Sequence, residues 1–167
     1  AVRGMAVGTY TPGQVFGDGE IQAGAASISF TGLEPVFIDG GTVDGTSPAG
    51  LNTTALPATL TFVTPGSADV IVIDSPAEGQ NRISGTSDGV AFEEIAFTNI
   101  QALVIDTGAN DVAGADADEI AIVADLVATG LTSVTITSGT GDDVLRVQVE
   151  TLSVPVSFNG EEGEDQI

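Results

Sequence analysis

The sequence predicts an all-β chain: a right-handed parallel β-helix (β-solenoid) of about six coils of roughly 22 residues. Three observations predict it. A Gly/Asp turn recurs in register, its period is near 22 residues, and a longer segment is duplicated about three periods apart. Fixed repeats of 20–50 residues are the mark of stacked units that cannot bury a core alone.

The clearest turn is "TSGTGDDVLRV" (137–147), where two aspartates follow a Gly-Thr-Gly turn and run into an apolar strand. Ile136 precedes Asp143 by seven residues, as Phe62 precedes Asp69 and Phe158 precedes Asp165. Two further copies differ in turn length, Ile83 to Asp88 and Ile105 to Asp118. Two residues past each aspartate stands Ile71, Val90, Ile120, Leu145 or Ile167, and Ile73, Phe92, Ile122 and Val147 follow at four. Alternation at period two after a turn reads as a strand with one buried face. The anchors at 62, 83, 105, 136 and 158 are separated by 21, 22, 31 and 22 residues. The long gap reads as a coil with about nine extra residues, mostly in the acidic loop "NDVAGADAD", since insertions in stacked repeats go to loops.

The longer repeat pairs "ISFTGLEPVFIDGG" (28–41) with "IAFTNIQALVIDTG" (95–108), six identities in fourteen. It suggests a duplicated three-coil unit, about 21–87 and 88–167. Residues 1–20 are Gly-rich and weakly patterned and read as an irregular first coil or cap. Strands are expected around Ile28–Phe30 and Val36–Ile38, then a Gly/Ser/Thr/Pro loop at 40–58. Thr46 and Pro48 break the pattern after Asp44, so 38–50 is not counted as a clean coil. "DEIAIVADLVATG" (118–130) competes as a helix with Gly130 as its stop. The coil register instead makes 119–123 a strand, leaving room for one helical turn at 124–129.

Composition narrows the functional classes. At 167 residues the chain fits one domain. Its 24 acidic residues face three arginines (Arg3, Arg82, Arg146), with no lysine and no histidine, for a net charge of −21. That balance excludes nucleic acid as a partner, since phosphate binding needs a basic surface, and disfavours anionic membranes. It suits cations or a salty medium, and it also keeps an aliphatic-rich extracellular chain soluble. There is no cysteine, hence no disulfide framework. No apolar run reaches the length of a membrane span, and no segment has signal-peptide form. The stop at Ile167, in mid-coil, suggests a piece of a larger chain or a protomer that pairs with the next.

The turns carry the candidate chemistry. Carboxylates in adjacent coils stand about 4.8 Å apart and repel by about 1 kcal/mol even in water. They must splay, protonate or share a cation. Calcium takes six to eight hard oxygens, including carbonyls of Gly-rich turns. The candidate ligands are Asp142, Asp143, Glu164 and Asp165, with Asp118 next.

"SGTGDDVLR" (138–146) resembles the calcium-binding nonapeptide of RTX β-roll proteins, matching at Gly139, Gly141, Asp143 and Leu145. "GEEGEDQI" (160–167) matches at Gly160, Gly163, Asp165 and Ile167. Ser138 and Glu161 replace glycines, and the period differs from the 18 residues of two nonapeptides. The resemblance implies Ca²⁺ between turns, with Asp143 and Asp165 as ligands. "ISFTGLEPV" and "VTITSGTGDDVLRV" are similar to the repetitive β-rich regions of large secreted bacterial adhesins. That implies a non-enzymatic structural or adhesive module at the cell surface, assembling end to end with copies of itself or with adjacent repeats of a parent chain, and engaging a glycan or surface receptor elsewhere.

Two other classes remain open. A carbohydrate or ice-binding face is suggested by Thr86 and Thr140, equivalent in "SGTSDGV" and "SGTGDDV". A carbohydrate-active β-helix enzyme would have to work with carboxylates alone, and these are spread over repeated turns rather than gathered.

Overall fold

The computed structural model describes residues 2–3, 7–33, 36–40, 59–114 and 116–167. Among the described residues, fifteen strands form two mixed sheets. The first sheet contains β1 (Val2–Arg3), β5 (Val36–Asp39), β10 (Ile95–Thr98), β8 (Asn81–Ser87), β7 (Asp69–Asp74), β12 (Glu119–Ile122) and β14 (Val144–Val147), in that spatial order; β9 (Val90–Ala91) adds to β8. The second runs β15 (Val156–Asn159), β13 (Ser133–Thr137), β11 (Ala102–Asp106), β6 (Thr59–Val63), β2 (Val7–Pro12), β3 (Gly19–Ala23) and β4 (Ala26–Phe30).

The expected six-coil solenoid is therefore corrected. Strands β2, β3 and β4 form antiparallel hairpins, and β8 runs antiparallel to both β7 and β10. The physical reason is the pairing of β8 between β7 and β10, which the turn after β7 accommodates. Ser75 accepts no further forward course: its hydroxyl bonds the Ala77 and Gln80 carbonyls, and the chain doubles back into β8. The step from Phe62 to Ile83 is thus not a coil, because Ile83 pairs with Ile73 and Ile95 in the other sheet. The duplicated segments also diverge. Ile28 lies in β4 of the second sheet, whereas its counterpart Ile95 lies in β10 of the first.

Strands β6, β7 and β11 to β15 do alternate between the sheets, and among them the pairing is parallel. Phe62, Ile105, Ile136 and Phe158 align as one row. Ile71, Ile120 and Leu145 form a second, and Ile73, Ile122 and Val147 a third. Most are fully buried, because alternate residues of each strand face the partner sheet. Val147, expected inside, is 40% exposed, and Phe158 is only partly covered. Tyr10, Phe62 and Phe92 fill the centre, with ring centroids 5.8 and 5.4 Å apart.

Residues 124–129 form no helix. Buried Asn81 holds them instead: its Oδ1 accepts the Val127 and Ala128 N–H groups at 2.8 Å, and its Nδ2 donates to the Asp74 and Asp125 carbonyls. Two of these bonds occupy the Val127 and Ala128 amides and a third the Asp125 carbonyl, leaving them unavailable to a helix. Residues 7–12, weakly patterned in sequence, pair with both β6 and β3. The expected loop at 40–58, with Asp44, Thr46 and Pro48, lies outside the described residues except at Gly40. No helix of the described residues is long and apolar enough to cross a membrane.

Candidate functional site

At the edge where the chain passes from the second sheet to the first, four aspartates stack in register. The Asp69 N–H donates to Asp118 Oδ1 at 2.8 Å, the Asp118 N–H to Asp143 Oδ1 at 2.8 Å, and the Asp143 N–H to Asp165 Oδ1 at 3.1 Å. The carboxylates of Asp118, Asp143 and Asp165 thus each bind the main chain of the preceding rung. Asp69, Asp118 and Asp143 are buried, while Asp165 is exposed. Beside them run Thr64, Thr107 and Ser138, all buried. Their amides donate to the Asp106, Thr137 and Asn159 carbonyls of the next strand.

Burial raises these carboxyls. Asp118 is pushed up to about 7, chiefly by loss of water, with the Thr107 hydroxyl opposing and the Asp69 and Asp143 charges adding. Asp69 is pushed up to about 6 by the same cause, partly offset by the Ser87 and Thr64 hydroxyls. Those hydroxyls lie close without reaching hydrogen-bonding geometry, since neither Asp69 oxygen has a partner. Asp143 is raised too, by burial first, against the Ser138 hydroxyl. Asp118 Oδ2, Asp143 Oδ2 and Ser138 Oγ are buried and unpartnered as well. An ionised carboxylate in such a place is costly unless it is bonded or paired.

The extra residues after Ile105 have a definite task. They clip neighbouring turns together: Asn110 Nδ2 donates to the Thr64 carbonyl, the Val112 N–H to Ser67 Oγ, and the Thr140 N–H and hydroxyl to Asp111 and Asp116 respectively. Burial raises Asp111 as well.

Of the five sequence-predicted ligands, Asp118, Asp143 and Asp165 fall in one ladder. Asp142 and Glu164 lie outside it and exposed, joined by a bond from the Glu164 N–H to Asp142 Oδ1 at 2.9 Å. No group of three or more acidic side chains converges on a metal position among the described residues. In the sequence Asp69 and Ser138 read only as turn positions, and Asp111 and Asp116 are not singled out. A hydroxyl two residues past the apolar anchor (Phe62–Thr64, Ile105–Thr107, Ile136–Ser138) was the available signal. Thr86 and Thr140 are not equivalent: Thr86 lies on antiparallel β8, Thr140 in a turn.

A depression of about 450 Å³ beside the N-terminal hairpin is lined by Thr9, Thr11, Asp18, Glu20 and Phe30 among others. Its two carboxylates serve the hairpin itself. Asp18 accepts the Gly32 N–H, and Glu20 accepts the Ser27 hydroxyl.

No family model, curated protein or solved structure matches this chain.

Proposed function

We propose that this chain is a non-enzymatic structural module of an extracellular bacterial protein, a rigid β body that spaces or supports adhesive parts. One observation carries the reading: the turn carboxylates of Asp118, Asp143 and Asp165 are each bound to the main chain of the neighbouring rung, tying Asp69, Asp118, Asp143 and Asp165 into one ladder. A carboxylate used as a rung connector joins segments far apart in sequence and resists their separation. The composition supports the extracellular setting, since a lysine-free surface of net charge −21 stays soluble and unattached to nucleic acid. The test is mechanical. Placed between marker domains in single-molecule force spectroscopy, the module unfolds in one cooperative step, and Asp118→Ala with Asp143→Ala lowers the unfolding force. Turnover of a glycoside that disappears in an acidic-residue variant would sink the reading.

Calcium belongs to the same proposal. The buried, unpartnered oxygens of Asp118, Asp143 and Ser138 favour it. Rungs about 4.8 Å apart match two oxygens on opposite sides of an ion bound at 2.3–2.6 Å. The ion would sit between rungs on pairs of carboxylates, rather than in one converged cluster.

A further inference from the structure

The outer faces of the two sheets differ in charge. On the first, Arg82 pairs with Asp74 and Glu94, and Arg146 with Glu119. On the second, buried Ile21, Tyr10, Phe62, Ile105 and Ile136 alternate with residues that face outward. Ser27, Gln22, Thr9, Thr61, Val104 and Thr135 thereby fall on one row across β4, β3, β2, β6, β11 and β13. That row carries no charge, in a chain of net charge −21. Ser29, Glu20 and Thr11 lie beside it in register. Thr9, Thr11, Asp18, Glu20, Gln22 and Ser29 line the depression of about 450 Å³ at this end of the sheet. Asp18 gives Oδ1 to the Gly32 N–H, and Glu20 gives Oε1 to the Ser27 hydroxyl, which leaves Asp18 Oδ2 and Glu20 Oε2 as acceptors for a ligand. The hairpin beneath is anchored. Phe30 lies across Gly19, where a Cβ would come within 2.8 Å of Phe30 Cζ, and its ring stacks on buried Tyr10 at 6.3 Å and 5°.

We propose that this depression and the row leading from it bind an extended, uncharged, β-linked glycan. Three features define the occupant. The lining mixes acceptor-only carboxylates with hydroxyls and an amide that both donate and accept. A sugar hydroxyl matches that mixture, donating to Glu20 Oε2 or Asp18 Oδ2 while accepting from the Gln22 amide or a threonine hydroxyl. Spacing is the second feature. Neighbouring strands stand about 4.8 Å apart, close to the length of one pyranose unit in an extended chain. Gln22, Thr9 and Thr61 therefore meet successive sugars, Val104 gives the next an apolar contact, and Thr135 resumes the polar row. Charge is the third. A polymer of uronic acids is repelled by Asp18, Glu20 and the field of the whole chain, and a cationic polymer finds no carboxylate along the row. The depression itself is of a size that holds small ligands.

The proposal adds a ligand to the non-enzymatic reading above, and its failure leaves that reading standing. The isotope-labelled full chain is titrated with cellohexaose, and separately with hexagalacturonate, at matched ionic strength, and the backbone amides are followed by NMR. Cellohexaose shifts the amides of Thr9, Thr11, Gln22 and Thr61, saturating in the millimolar range, and leaves Thr86 and Ala121 of the first sheet unmoved. Hexagalacturonate binds at least about tenfold more weakly. Thr9→Val combined with Gln22→Ala weakens cellohexaose binding at least about tenfold, the scale of two lost hydrogen bonds, while Thr86→Val leaves it unchanged. The comparison of the two sugars on the unaltered chain stands even where the double variant folds poorly. No shift at millimolar cellohexaose, equal binding of the acidic sugar, or full binding by the folded double variant overturns the proposal. Shorter sugars accumulating in the same sample would count against the non-enzymatic reading and in favour of the site.

Discussion

The parallel stack of β6, β7 and β11 to β15 and the antiparallel strands that flank it solve the same problem in opposite ways. In the stack, residues far apart in sequence fall on one row, and turn aspartates tie each rung to the next. In the flanking region, short hairpins bring neighbours together, and Asn81 secures the turn between β7 and β8 by donating to the Asp74 carbonyl. The difference shows where stability is pooled. A parallel rung depends on its neighbours for every bond, so damage to one rung is shared. A hairpin strand at an edge, such as β4 with Ile28 54% exposed, leans on little.

The largest break in this comparison comes from the core row. Ile105 is fully buried between Phe62 and Ile136. Ile105→Ala removes three carbons from a site that close-packed neighbours cannot collapse into, at a cost of about 4 kcal/mol. Ile28→Ala costs under about 0.5 kcal/mol. Urea unfolding at pH 7 measures both, and equal costs would erase the distinction.

Next comes the pin between the two regions. Asn81 makes four hydrogen bonds in a buried site, joining β8 to the 124–129 segment. Asn81→Ala leaves two buried amides and two carbonyls without their partner, at a cost of about 3 kcal/mol. Faster amide exchange at Val127 and Ala128 is the local signature. An unchanged exchange rate there would show that the segment holds itself.

How much of this was legible follows from the range of the forces involved. The rows Phe62–Ile105–Ile136–Phe158 and Ile71–Ile120–Leu145 follow from a repeated pattern, because burial at period two leaves its mark on every strand. The reversal at 75–80 did not announce itself. "SPAEGQ" is a turn in either topology, and the direction of the following strand is set by tertiary pairing of Ile83 with Ile73 and Ile95. Asn81 carries no signal in the sequence, since three of its four partners lie 44 to 47 residues away. The aspartates of the candidate site were visible as a periodic set. That their carboxylates accept main-chain bonds was not, because side-chain direction at a turn depends on the neighbouring rung.

A smaller effect tests the ladder by pH. Asp118 and Asp69 have folded-state values near 7 and 6, above the ordinary 3.8. Between 3.8 and those values the folded chain holds protons that the unfolded chain has released, so stability falls as pH rises from about 4 to about 7 and then levels. Asp143 and Asp111 are raised and act in the same direction. Asp118→Asn keeps an oxygen for the Asp69 N–H and imitates the protonated group. It raises the melting temperature at pH 8 by about 5 °C and flattens the slope between pH 4 and 7, while Glu20→Gln in the hairpin leaves the slope intact. A steeper slope in Asp118→Asn would contradict a protonated ladder.

The smallest expected shift is that of calcium, and it separates the two regions by ligand rather than by packing. An ion that binds only the folded chain at ten times its dissociation constant adds about 1.4 kcal/mol, about 4 °C for a domain of this size. The rise appears between EDTA and calcium chloride at matched ionic strength, which removes general screening of the −21 charge as a cause. Magnesium gives less, because its tight octahedral shell fits poorly between carboxylates set by strand spacing. The shift disappears in Asp143→Asn with Ser138→Ala, which strips oxygens from the buried pair of rungs, and persists in Asp142→Asn, whose carboxylate stands exposed outside the ladder. Should Asp143→Asn instead raise the melting temperature in EDTA, with wild type indifferent to calcium, the buried oxygens carry protons rather than a metal. The parallel stack would then owe its cohesion to strand pairing and to its carboxylate–main-chain bonds, without a metal.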